Sequence, residues 1–167
     1  MKITRIQLRK IIQEAIRQNE PGYNISLKPD TKRISYTALV LDDASHNALL
    51  QYVPEGWRVY AHHMTLIAPG NQSGVRLPER YLDQPASIVA TGIVADDRVI
   101  AAVIDLSQSD SILPMSGPIF PHVTIATNPL TKGKPHMSNQ LDPDPYGENF
   151  SPIAPIKLSG IIKEIAR

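Results

Sequence analysis

The chain has 167 residues, 42 % of them apolar and 20 % charged, which suits one globular domain with a sizeable core. Its 17 Lys and Arg stand against 16 Asp and Glu, so it lacks the basic excess of a protein that tracks along duplex DNA. The absence of cysteine excludes disulfides and thiolate metal sites. Residues 1–20 read as an amphipathic helix: Ile6, Leu8, Ile11, Ile12, Ala15 and Ile16 fall near one side, with Arg5, Arg9, Lys10, Glu14 and Arg17 around the other. Thr4 suits its N-cap and Pro21-Gly22 ends it. Residues 21–33, rich in Pro, Gly, Asn and Asp, read as a tether. The helix is then an appendage that packs on the body or offers a contact to another protein.

The body, residues 34–167, opens with a buried strand at 35–41. Asp42 or Asp43 caps a helix over 44–52 whose inner side is Ala48, Leu49 and Leu50. Residues 58–67 form one strand, and 79–82 a short helix. Two apolar runs, 87–95 and 98–106, are joined by Asp96-Asp97 as a hairpin. A strand at 122–127 follows, then a long Pro-, Gly- and Asn-rich loop over 128–152 and a last strand at 156–165. Few helices and mostly hairpin-linked strands predict an α+β fold with antiparallel sheets. No segment is long and apolar enough to span a bilayer and the N-terminus lacks a secretory leader's core, so a cytoplasmic, membrane-free protein is expected.

One tripeptide pattern occurs twice, each time inside an apolar strand: His63-Met64-Thr65 and His122-Val123-Thr124. Side chains two apart on a strand share a face. Ala61, His63, Thr65 and Ile67 thus point one way, and Tyr60, His62, Met64 and Leu66 the other; His122, Thr124 and Ala126 likewise oppose Val123 and Ile125. The bulky side suits the core and the His–Thr side a cleft. Imidazole titrates near neutrality, so one ring can be neutral and the other protonated. One can take a proton from a nucleophile while the other gives one to a leaving alkoxide. Threonine hydroxyls can donate to the non-bridging oxygens of a phosphate, and no carboxylate within the motifs repels that anion. This is equipment for cleaving a phosphodiester without a metal or other cofactor.

His62 falls on the core side, and adjacent strand residues point apart, so His62-His63 is not read as a metal site. His46 on the helix and His136 in the long loop read as surface residues. Tyr36 and Phe120 are candidates to stack a base. Lys132, Lys134, Ser138 and Asn139 can close over the phosphate from the long loop, and Lys134 and Asn139 join the candidate substrate contacts.

The paired motifs resemble the two-histidine (2H) phosphoesterase superfamily over about residues 34–165. Ala61-His62-His63-Met64-Thr65, with Gly133-Lys134-Pro135 and Ser138-Asn139, looks most like its RNA-repair branch of tRNA ligase phosphodiesterase domains. The resemblance implies a bilobal, pseudo-symmetric α+β fold and metal-free cleavage of phosphodiesters, often a 2′,3′-cyclic phosphate at an RNA end. It carries His63 and His122 over as the acid/base pair and Thr65 and Thr124 as phosphate donors. Two further readings stay open: a phage-type nuclease of cyclic oligonucleotide immune messengers, and a non-catalytic nucleotide-binding module.

Overall fold

The computed structural model describes residues 34–67, 77–110, 113 and 120–166. The expected N-terminal helix and tether lie outside these residues. The described elements run β1 (Ile34–Leu41), α1 (Asp43–Leu50), β2 (Arg58–Val59), β3 (His63–Ile67), a 3₁₀ turn (Glu79–Tyr81), β4 (Pro85–Ala95), β5 (Val99–Ile104), β6 (His122–Thr127), a second 3₁₀ turn (Pro135–Gln140) and β7 (Phe150–Ala166).

All seven strands join one antiparallel sheet of order β2-β6-β3-β1-β7-β4-β5, and β5 also pairs with β6. The sheet therefore closes on itself like a barrel. The α+β class holds, with strands dominant; the pairing marks no boundary between two lobes. The main core is formed by Leu39, Met64, Leu66, Ile88, Ile125 and Leu158, all fully covered. A smaller cluster of Val94, Val99, Ala101, Phe120 and Leu141 lies apart from it.

Asp42 is the residue that caps α1: its Oδ1 accepts from the Ser45 backbone N–H at 2.7 Å. Leu49 is buried, and the Ser45 hydroxyl accepts from the Ser159 N–H at 2.7 Å, which ties the helix to β7. In the β4–β5 turn, Asp96 Oδ1 accepts from the backbone N–H groups of Arg98 (2.8 Å) and Val99 (2.9 Å). The Asp96 side chain thereby fixes the predicted hairpin.

Two strands differ from those expected from the sequence. The last strand is β7, 17 residues long, and it starts before Pro152 rather than after it. Proline lacks the ladder N–H and argues against a central strand. Here Gly92 pairs with Pro152 and Ala90 with Ile156, so the register slips and Pro155 sits in the irregular stretch. Further along β7, a Cβ at Gly160 would collide with the Val40 carbonyl oxygen, so glycine permits the close approach of β7 to β1.

The second departure is the strand expected over 58–67, which comes in two pieces, β2 and β3. Val59 pairs with Ala126 and Met64 with Val123, so both pieces line one edge of β6 while β5 takes the other. Between them Ala61 adopts φ 46°, a left-handed backbone that breaks the alternation. Ala61 consequently turns into the core, fully buried, and His62 turns out to solvent, the reverse of the faces expected from a continuous strand.

Candidate functional site

From His63 onward the alternation is as the sequence predicts. Met64 and Leu66 are fully buried, while His63, Thr65 and Ile67 stay partly open. On β6, Val123 and Ile125 are fully buried and Thr124 stays partly open. Burying each large apolar side chain contributes about 1.5–3 kcal/mol. The apolar residue between each His and Thr is thus the anchor that fixes the direction of both polar neighbours.

The two strands are antiparallel neighbours with Met64 opposite Val123. That register sets His63 level with Thr124 and Thr65 level with His122, all on the face opposite Met64 and Val123. His63 and His122 are then diagonal partners, about 7–8 Å apart at the backbone. This separation leaves room for a tetrahedral group between the rings. Their charges sense each other. Burial lowers the His63 pKa below the ordinary imidazole value, and His62 and His122 add to the lowering. Burial also lowers that of His122, opposed by its hydrogen bond to Phe120.

The rings are held differently. His122 is 8 % exposed. Its Nδ1–H donates to the Phe120 carbonyl oxygen at 2.9 Å, and its Nε2 lies 2.8 Å from the Ser138 hydroxyl. Ser138 Oγ is also 2.9 Å from Thr124 Oγ1, and donates to the Pro135 carbonyl oxygen at 2.6 Å. His63 and Thr65 make no side-chain hydrogen bond among the described residues; the Tyr36 ring lies against His63, with centroids 5.2 Å apart and planes at 32°.

The other residues singled out in the sequence are distributed as follows. Tyr36 reaches the site through His63. Phe120 packs on His122 with ring centroids 4.6 Å apart, but at 5 % exposure it belongs to the smaller core and offers no open face. Lys134 is exposed at the start of the second 3₁₀ turn. Asn139 turns its amide to the His136 carbonyl oxygen at 3.1 Å. Of the four loop candidates, Ser138 is the one that touches the motif side chains. His46, expected on the surface, is half-buried; its Nδ1–H donates to the Ala61 carbonyl at 3.1 Å. The His62 ring stacks on it with centroids 4.6 Å apart and planes within 2°. Nothing in the sequence signals that pair, because it depends on the left-handed turn at Ala61.

The family model of the fungal tRNA ligase phosphodiesterase domain matches residues 43–146. That span starts at α1, holds both His-x-Thr strands and ends beyond the second 3₁₀ turn. No curated protein matches the chain.

Proposed function

This chain belongs to the family of the fungal tRNA ligase phosphodiesterase domain, within the 2H phosphoesterases, and we propose that it opens 2′,3′-cyclic phosphates at RNA ends without a metal. The observation that carries the reading is the pair of imidazoles on adjacent antiparallel strands, each level with the other motif's threonine. A phosphate between them meets an acid, a base and two hydroxyl donors. The neutral imidazole takes a proton from water as the water oxygen bonds to phosphorus. The protonated one gives its proton to the ribose oxygen as the P–O bond breaks. Proton exchange with solvent then restores the pair. The orientation of the bound ring decides which of His63 and His122 is the acid. The Thr65 and Thr124 hydroxyls donate to the non-bridging oxygens, where charge gathers. Tyr36, beside His63, is the aromatic face available to a terminal base. The near-balanced charge favours a terminal or small substrate over a long strand.

The test is incubation of purified protein in EDTA with an RNA oligonucleotide ending in a 2′,3′-cyclic phosphate, beside cyclic oligonucleotides. Opening of the terminal ring to a monophosphate is expected. A strict requirement for a divalent ion would sink the reading. Turnover of the cyclic oligonucleotides alone would replace it with the messenger-nuclease alternative. Binding with no product from either substrate would replace it with the nucleotide-binding module.

A pH dependence follows from the two lowered pKa values. Catalysis needs one ring protonated and one neutral, so kcat/KM is bell-shaped and reports the free protein. Both limbs move to the acid side of imidazole's ordinary value of about 6.5, since burial disfavours the charged form of each ring. The maximum is therefore expected below pH 6.5, with the two limbs belonging to the coupled pair. A maximum above pH 7 in kcat/KM would contradict it.

A further inference from the structure

The two halves of the site are not equivalent. The His63–Thr65 half has no hydrogen-bond partner among the described residues, whereas the His122–Thr124 half is taken. Ser138, 1 % exposed, brings one hydroxyl within hydrogen-bonding distance of both polar groups of that motif. It does this from the second 3₁₀ turn, some 14 residues beyond Thr124 in sequence. Both ring nitrogens of His122 are thus occupied, one by the Phe120 carbonyl and the other by Ser138.

We propose that Ser138 is a built-in gate: its hydroxyl stands where a phosphate oxygen must stand, and substrate engages His122 and Thr124 only after Ser138 has left. The inference rests on the reading that these two side chains face the phosphate. Its geometry is direct. An imidazole Nε2 has one hydrogen-bonding direction, and Ser138 fills it. A ligand oxygen accepting from Nε2–H and from the threonine hydroxyl would take the same place between them.

Proton counting supports a replaceable partner rather than a rigid strut. Ser138 has one proton and three neighbours. With that proton on the Pro135 carbonyl, its lone pairs accept from Thr124 and from a protonated His122, as a phosphate oxygen would. When His122 is neutral, the serine proton turns to Nε2 instead. The hydroxyl therefore partners either state of the ring in the absence of ligand, giving up its bond to the Pro135 carbonyl when the ring is neutral.

The chain around Ser138 suits displacement between two fixed ends. At Gly133 a Cβ would collide with the Arg98 carbonyl oxygen, so the chain is pressed against the β4–β5 turn there. At the other end Leu141 is buried in the smaller core. Between them Lys134, His136 and Gln140 are exposed. The turn closes through i→i+3 bonds of 3.0 Å (Met137 N–H to Lys134 O) and 3.3 Å (Leu141 N–H to Ser138 O), a weaker geometry than an α-helix provides. Contacts made in the free protein and given up on binding raise KM and weaken every phosphate ligand.

The test is Ser138→Ala, with inorganic phosphate as the probe, titrated against the His122 imidazole signal by NMR, and with KM measured for the cyclic-phosphate oligonucleotide. Losing a gate of about one net hydrogen bond is expected to tighten phosphate binding and lower KM by roughly three- to tenfold. Ser138→Cys, which keeps the shape and loses most of the hydrogen bonding, gives the same comparison should the alanine variant not fold. Phosphate affinity that is unchanged or weaker, with His122→Ala inactive, overturns the gate and leaves the reaction standing. An active His122→Ala overturns the reaction and the gate with it.

Discussion

Replacing either His63 or His122 by alanine is expected to lower turnover by about 10²–10⁴-fold while the protein stays folded. Each removes one proton carrier, and nothing described beside the rings can substitute for it. The two variants differ in their structural cost. His63 makes no side-chain hydrogen bond among the described residues and packs its ring on Tyr36, so His63→Ala should melt close to the native protein. His122 is buried between the Phe120 carbonyl and Ser138, and its removal takes the ring's donor from that carbonyl and one of three partners from the covered Ser138 hydroxyl. A loss of about 1–3 kcal/mol is expected, which is a melting shift of several degrees for a domain of this size. Initial rates beside thermal melts check both statements. Because acid and base act as a unit, the double variant should be little slower than the worse single one. Turnover within tenfold of native in either single variant would remove that histidine from the chemistry.

The parts of this arrangement that the sequence reveals are those fixed by local periodicity. Alternation from His63 to Ile67 and from His122 to Ile125 gives the correct faces because each strand buries its alternate apolar residues, Met64, Leu66, Val123 and Ile125, against one core. It fails at Ala126, which a register shift against β5 turns into that core instead of the cleft. The helix cap is legible to within one residue, Asp42 or Asp43, because an aspartate ahead of a helix accepts from a free backbone N–H in its first turn, here that of Ser45. What escapes is set by tertiary contact. Ala61 gives no sequence warning of a left-handed backbone, since alanine pays for that conformation sterically and glycine is the usual signal. The start of β7 escapes because its prolines read as loop, and the register slip against β4 that accommodates Pro155 has no local signature. Ser138 could be suspected from its place after the second motif. Its contact with His122 and Thr124 depends on how a proline-led 3₁₀ turn docks on β6, which no periodicity encodes.

Thr65→Val and Thr124→Val should each lower kcat by about 10²–10³-fold, the loss typical of removing one donor to a developing oxyanion. Valine keeps the branched shape, and both positions are only partly buried, so packing changes little. The donated bond strengthens as charge builds on the phosphate oxygens, so the loss falls on kcat more than on KM. Serine at either position keeps the hydroxyl and should restore most of the rate. The two sites then part company. Thr65 makes no side-chain hydrogen bond among the described residues, so Thr65→Val alters only what the substrate meets. Thr124 also contacts Ser138, so Thr124→Val removes one of the three contacts that seat that serine in the site. Thr124→Val should therefore show the lower KM of the two valine variants. Adding Ser138→Ala should lower KM further in Thr65→Val, and by less in Thr124→Val, where the serine is already loosened. Equal KM responses in the two backgrounds would mean that Thr124 has no part in holding Ser138 against the substrate.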